Sequence, residues 1–383
     1  MNFKKKSFNN DQNKFLPIIF LLFIFIIFII NIISKDKTFS SEENRTLNTR
    51  PKFSMENLMH SDYTKKYESY VSDQFFLRNF WVNIKSSVER FSGKKENNDI
   101  YICSDDYLID KFKKPNKENA LEKSKAIKSF YEKNKDLTNS IMIIPTKIKV
   151  LKDKLPAFAP SYDELNYINN FYSYLPNNVN KINAFNILNQ NKDKYIYYKT
   201  DHHWTTEGAY YAYLEFCKKL NITPKLKNQY NIEEVSNNFY GTLYSKSGIK
   251  NISPDRISVF LPKNEENLIV NYIEEKKKGV SLYSAHKLNT KDKYSLFTDG
   301  NHPILKIETE SLSNKKLLII KDSYANSFIP FLTSHYSDIV VVDLRYYNDN
   351  IQSLIEDNGI TDTLILYNTS TFSEDDSILN LVQ

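Results

Sequence analysis

The stretch 316-KLLIIKDSYANSFIPFL-332 decides how the chain is read. Leu317 to Ile320 form an unbroken apolar run, the pattern of a strand covered on both faces of a sheet. Asp322 and Ser323 follow as a sharp turn, and a helical pattern comes next. Comparable runs recur at "SIMIIP" (140–145), "KINAFNIL" (181–188), "YIYYK" (195–199), "DIVVVD" (338–343) and "DTLILYN" (362–368). Helical patterns fall between them at 118–134, 162–174, 206–220 and 350–358. This alternation predicts the α/β class: a three-layer sandwich around a mainly parallel sheet. Residues 221–315, with short strand-like pieces such as "RISVFL" and "ILKIET", break the rhythm and read as an insertion or small subdomain.

A serine at the carboxyl end of a buried strand projects at the rim of the sheet, where ligands bind in open α/β folds. The turn can also face backbone N–H groups toward an oxyanion. Ser323 is therefore a candidate nucleophile, with Asp322, Ser323 and Ser327 as mere caps and turn formers the competing reading. Pro330 suits the first turn of a helix capped by Ser327, which places that helix some residues beyond Ser323. A base is needed at a neighbouring strand end, and "KTDHHWT" (199–205) offers one in a chain with six histidines. It follows "YIYYK" and precedes an amphipathic run carrying Tyr210, Tyr213, Leu214 and Cys217 on one face. If extended, residues 201 and 203 point the same way and His202 the other. Asp201 then orients His203, which is free to take a proton from a hydroxyl. A buried histidine satisfied by an aspartate is the plain alternative. Asp201, His202 and His203 are also conceivable metal ligands, but no second cluster supplies the rest of a coordination shell, so neither a metal nor a cofactor is expected.

The chain has 383 residues, 41% hydrophobic and 14% aromatic, enough for one large domain or two small ones. Its net charge of +6 is spread along the sequence, which does not imply nucleic acid. Cys103 and Cys217 read as free and buried, and there is no internal repeat. Residues 15–33 are apolar except for Asn31, the length and composition of a membrane-spanning helix. Lys4, Lys5, Lys6 and Lys14 before it predict a cytoplasmic amino terminus and an extracytoplasmic remainder. "NIISKDK" lacks a small-x-small cleavage pattern, which favours an uncleaved anchor over a signal peptide. The expected division is a tail and anchor (1–34), a tether and helical segment (35–95), and the α/β domain (96–383) with an insertion at about 221–315. The apolar spacing from Tyr63 to Phe91 predicts helix lying against the domain or the membrane surface.

With Asp201, His202, His203 and Trp204 in a row, the chain resembles the DHHW family. More distantly it is similar to alginate O-acetyltransferases that carry an SGNH-hydrolase-like domain. The pieces "FSSEENRTLNTRPKFS", "YVSDQFFLRNFW", "FYGTLYSKSG", "FTDGNHPILKIET", "KDSYANSFIPFL" and "VVDLRYYNDN" extend the resemblance from the tether to the end. It implies Asp201, His203 and Ser323 as catalytic residues. The acid and base precede the serine, the reverse of the ordinary SGNH order, which implies a permuted arrangement of strands. Lys321 is a departure, standing where related proteins often have glycine. Asn301 in "DGNHP" and Arg345 with Tyr346 in "DLRYY" are family elements that can donate to an oxyanion or contact substrate. A turn residue and a surface salt bridge are the ordinary readings of Asn301 and Arg345.

The resemblance implies acetyl transfer to a hydroxyl of a cell-surface polysaccharide, the donor being passed across the membrane by a multi-span membrane-bound O-acyltransferase. A glycan O-acetyl esterase is the alternative within the same chemistry. A non-catalytic polysaccharide-binding or assembly protein is the alternative outside it.

Overall fold

The computed structural model describes residues 12–40, 45–59, 62–249, 251–264 and 267–382; Lys4, Lys5 and Lys6, three of the four lysines on which the expected membrane orientation rests, lie outside them. The chain divides into a first unit ending at Gly93 and a second beginning at Lys94.

In the first unit, helix α1 (Gln12–Ile33) contains the apolar stretch Phe15–Ile33, 19 residues with none buried, long and apolar enough to cross a membrane. Phe39–Ser40 and Arg45–Thr46 pair as two short strands. The buried carboxylate of Asp73 accepts from both Arg45 guanidinium nitrogens at 2.5 and 2.9 Å and from the N–H and side chain of Asn48 at 2.8 and 2.7 Å. The helical pattern of residues 63–91 is realised as two helices, α2 (Asp62–Gln74) and α3 (Arg78–Phe91). They break at Leu77, whose φ of 53° lies in the left-handed region that ends a helix.

The second unit is α/β. Helices α4 (Lys117–Lys133), α5 (Glu164–Ser173), α6 (Phe185–Gln190), α7 (Thr206–Leu220) and α8 (Ile351–Asn358) accompany the strands. Those strands are β1 (Thr138–Ile144), β2 (Asn180–Lys181), β3 (Tyr230–Phe239), β4 (Asp255–Pro262), β5 (Leu268–Tyr272), β6 (Lys277–Gly279), β7 (Ile304–Thr309), β8 (Lys316–Lys321), β9 (Asp338–Val342) and β10 (Asp362–Asn368). Among the described residues the largest sheet has eight strands in the order β6-β5-β7-β9-β8-β10-β1-β2. From β9 to β2 the pairing is parallel. Leu317–Ile320, Ile339–Val342 and Leu364–Tyr367 are almost wholly buried, as a sheet covered on both faces requires.

Several readings need correction. Residues 221–315 are not a separate subdomain: β5, β6 and β7 extend the main sheet as an antiparallel half, and β3 and β4 form a hairpin beside it. Residues 181–188 supply only the end of a short strand and then α6, whose first N–H is held by the Asn183 side chain at 3.0 Å. Residues 195–199 are not a sheet strand, although Ile196, Tyr197 and Tyr198 are buried. Their backbone bonds run partly within the loop, from Thr205 N–H to the Ile196 carbonyl and from Tyr198 N–H to the His203 carbonyl, and one comes from outside it, from Leu108 N–H to the Lys199 carbonyl. After Ser323 there is no α-helix but two 3₁₀ turns, Ser323–Ser327 and Ile329–Phe331, with Pro330 in the second. Both cysteines are free, Cys217 buried and Cys103 only half-buried.

Candidate active site

The loop 199–204 is held from three sides. Asp255 at the start of β4 accepts the N–H groups of Lys199 and Thr200, both at 2.7 Å, and the hydroxyls of Tyr195 and Thr200. The buried ammonium of Lys147 donates to the carbonyls of Leu108, Tyr198 and Asp201 at 2.5, 3.0 and 2.6 Å. Trp204, fully buried, donates its indole N–H to the Tyr324 carbonyl at 2.9 Å, tying the loop to the turn that carries Ser323.

That tie brings the two halves together. Ser323 Oγ is 2.8 Å from His203 Nε2, and His203 Nδ1 is 2.5 Å from Asp201 Oδ1. A carboxylate only accepts, so Nδ1 carries the proton and Nε2 is left to accept from the serine hydroxyl. Asp201 reaches His203 through a bend and not by strand alternation, with Oδ1 also accepting the His203 N–H at 3.0 Å. For the same reason His202 does not point away. Its ring centroid is 3.8 Å from that of His203, and its Nδ1 is 2.7 Å from the Thr242 hydroxyl.

Several neighbours were not singled out from the sequence. Thr242 donates its N–H and hydroxyl to Asp201 Oδ2 at 2.9 and 3.1 Å. Tyr294 stacks on His203 with centroids 3.7 Å apart and an interplanar angle of 10°, and its hydroxyl donates to the Ser323 carbonyl at 3.1 Å. Tyr324 donates to the His202 carbonyl at 2.5 Å. Gly241 and Thr242 lie inside "FYGTLYSKSG", where their signal was a resemblance without a role.

Gly241 is needed for its lack of a side chain. A Cβ there would lie 2.2 Å from Asp201 Cβ and 2.3 Å from Oδ2. Gly241→Ala should therefore displace Asp201, lowering the melting midpoint by the equivalent of about 1–3 kcal/mol and turnover by about 100-fold. Thermal unfolding followed beside an ester-cleavage assay checks both effects.

Electrostatics suit a base. Burial, reinforced by the neighbouring His202, pushes His203 down to about 4 even though Asp201 pulls the other way. Burial alone would raise Asp201, but the two imidazoles and the bonds from His203 and Thr242 hold it well below the usual carboxylate range. The resting pair is a carboxylate beside a neutral imidazole. Asp201, His202 and His203 also place one ligand atom each within 4.8 Å of one another. Both oxygens of Asp201 and both ring nitrogens of His203 are committed to the bonds above, so the set does not suit a metal ion.

Asn301, Arg345 and Tyr346 have no hydrogen bond to Asp201, His203 or Ser323 among the described residues. Asn301 and Arg345 are linked to the serine turn through Lys321, whose buried ammonium donates to Asn301 Oδ1 at 2.8 Å and to Asn326 Oδ1 at 2.9 Å. It lies 3.5 Å from Asp343 Oδ2, and Arg345 brackets that fully buried carboxylate through two nitrogens at 2.8 and 2.6 Å. The Arg345 pair is thus not an ordinary surface salt bridge. Tyr346 is exposed, with the Arg345 guanidinium 5.4 Å from its ring centroid. Because Asn301 Oδ1 is turned to Lys321, its amide N–H groups face elsewhere. Burial lowers Lys321 to about 8, only partly offset by Asp343.

No curated protein sequence matches the chain. Among solved structures, a DHHW family protein from Eubacterium siraeum is similar at a TM-score of 0.65 and 26% identity over 74% of this chain and 95% of that one. Bacillus cereus PatB1 is similar at 0.62 and 22%, over 71% and 97%. A second PatB1 structure, with a sulfonyl adduct, gives 0.62 and 21%, over 73% and 97%. The family model described as DHHW protein matches residues 125–342, more than half of the chain and the span that holds Asp201, His203 and Ser323. The chain belongs to the DHHW protein family.

Proposed function

We propose that this protein is a membrane-anchored, extracytoplasmic serine O-acyltransferase that acetylates a cell-surface polysaccharide. The observation that carries the reading is the unbroken relay from Asp201 through His203 to Ser323, at 2.5 and 2.8 Å. Ser323 Oγ attacks the acyl carbonyl while His203 Nε2 takes the hydroxyl proton, and Asp201 stabilises the imidazolium. The imidazolium returns the proton to the leaving group, giving an acyl-serine. A sugar hydroxyl then gives its proton to His203 and attacks the ester, and His203 passes that proton to the departing Ser323 oxygen, which restores the resting relay. The Ser323 N–H, at the start of its 3₁₀ turn, and the Asn301 amide are the oxyanion donors in this scheme. Lys321 is a positioning residue that fixes which way Asn301 points. Residues 15–33 anchor the chain, and a multi-span membrane-bound O-acyltransferase delivers the acyl group.

Transfer and hydrolysis share the acyl-serine and differ in the second nucleophile. A soluble chain beginning at Lys35, given an aryl acetate with and without oligosaccharide, should form acetylated sugar. Brisk hydrolysis with no such product would assign the protein to the esterases.

Two further outcomes follow from the electrostatics. The reactive form needs neutral His203 and charged Lys321. Activity (kcat/KM) should therefore hold between about pH 4 and 8, falling below as His203 gains a proton and above as Lys321 loses one. A pH–rate profile with an acidic limb near the ordinary histidine value would contradict this. Lys321→Met should lower kcat by about 10- to 100-fold with KM little changed, and should remove the alkaline limb while leaving serine labelling by a fluorophosphonate intact.

A further inference from the structure

Helix α3 wears its amphipathicity inside out. Phe80, Trp81, Ile84, Val88 and Phe91 recur at intervals of three and four and occupy a stripe of about 100° on the helix surface. All five are exposed, Phe91 almost completely, whereas on the opposite face Ser86 is buried and Asn79 and Asn83 are half-buried. A soluble surface helix does the reverse. Exposed apolar stripes of this kind mark a surface that something else covers.

The same unit indicates what covers it. Asn31 is the one polar residue of the apolar stretch 15–33. In the last turn of α1, its Oδ1 accepts the N–H of Phe76, in the turn between α2 and α3, at 2.8 Å. The Gln74 side chain exchanges two bonds with the Lys37 backbone at 2.8 and 2.9 Å, and Tyr70 donates to Asp36 at 2.9 Å. These contacts pin the start of α3 to the end of α1. Ile32 and Ile33 at the end of α1 and Leu77 just before α3 are exposed as well. Trp81 donates its indole N–H to the Phe76 carbonyl at 3.2 Å, so its polar edge is satisfied without water.

We propose that α3 lies along the surface of the bilayer that α1 crosses, with its stripe in the boundary between headgroups and acyl chains. The partner is lipid, because α3 begins where hydrogen bonds tie it to the end of a helix apolar all round, and tryptophan favours that depth. Lys85, exposed at the margin of the stripe, can extend to the headgroups. The inference rests on reading α1 as a membrane-spanning anchor.

The chain has two tryptophans, and Trp204 is fully buried, so Trp81 alone can report contact with lipid. The full-length protein is reconstituted in phosphatidylcholine vesicles with or without bromine on the upper acyl chain. Bromine should quench Trp81 emission at least about twofold, and Trp81→Phe should remove the quenched component. Protein that floats with the vesicles yet emits equally in both lipids overturns the proposal, and exchange of lipid for a protein partner would give that result. Failure to float refutes the anchor itself, and the proposal with it.

Discussion

Ser323→Ala should lower acyl transfer by at least about four orders of magnitude while leaving the fold intact. The hydroxyl is the atom that becomes acylated, and nothing else in the relay can replace it: Tyr294 and Tyr324, the nearest phenols, are committed to carbonyls and kept protonated by burial. The side chain is small and half-buried, and the bond it loses is shared with a histidine already held by Asp201 and stacked on Tyr294. The melting midpoint should therefore change little, and fluorophosphonate labelling should disappear. Cell-surface acetylation that persists unchanged in the variant, together with labelling, would point to the non-catalytic reading.

Asp201→Asn should be nearly as damaging, lowering kcat by about 10⁴-fold with the KM for the acyl donor little altered. The reason is the bonding of both carboxylate oxygens. If the amide oxygen faces His203, the NH₂ group meets the N–H and hydroxyl of Thr242, whose N–H can only donate. If the amide turns over, NH₂ faces Nδ1, the imidazole proton moves to Nε2, and the ring can no longer accept from Ser323. Either orientation leaves a buried group unmatched, with a stability loss of about 1–3 kcal/mol. Thermal unfolding and steady-state kinetics on one preparation separate the two effects. A variant with normal kcat would show that Asp201 only fills space.

The central strands were legible because burial on both faces writes an unbroken apolar run, as at 316–321, 338–342 and 362–368. Helices with a cap and an amphipathic stripe were equally plain: α7 begins with Thr205 accepting the Gly208 N–H and ends at Asn221 in the left-handed region. Residues 195–199 misled because burial and strand pairing are separate properties. That run is covered by the core while its backbone is satisfied by its own loop, by the Leu108 N–H, by Lys147 and by Asp255. Asp201 and His203 could be paired from their spacing even though the supposed strand is a bend, since two residues in such a bend still meet. Thr242, Tyr294 and Lys147 were hidden because their contribution is tertiary and no local pattern records which loop they support. Lys321 looked like a departure at a turn, and in the fold it is a buried cation that orients two amides.

The claim on which the account turns is that Ser323 forms a covalent acyl ester activated by His203. The most direct measurement is rapid quenching of the soluble chain with an aryl acetate and no sugar, followed by peptide mass spectrometry. The account predicts one acetyl group on the peptide containing Ser323, absent in His203→Ala and discharged when oligosaccharide is added. Acetyl on any other residue, or turnover with an unmodified Ser323 peptide throughout, would contradict it.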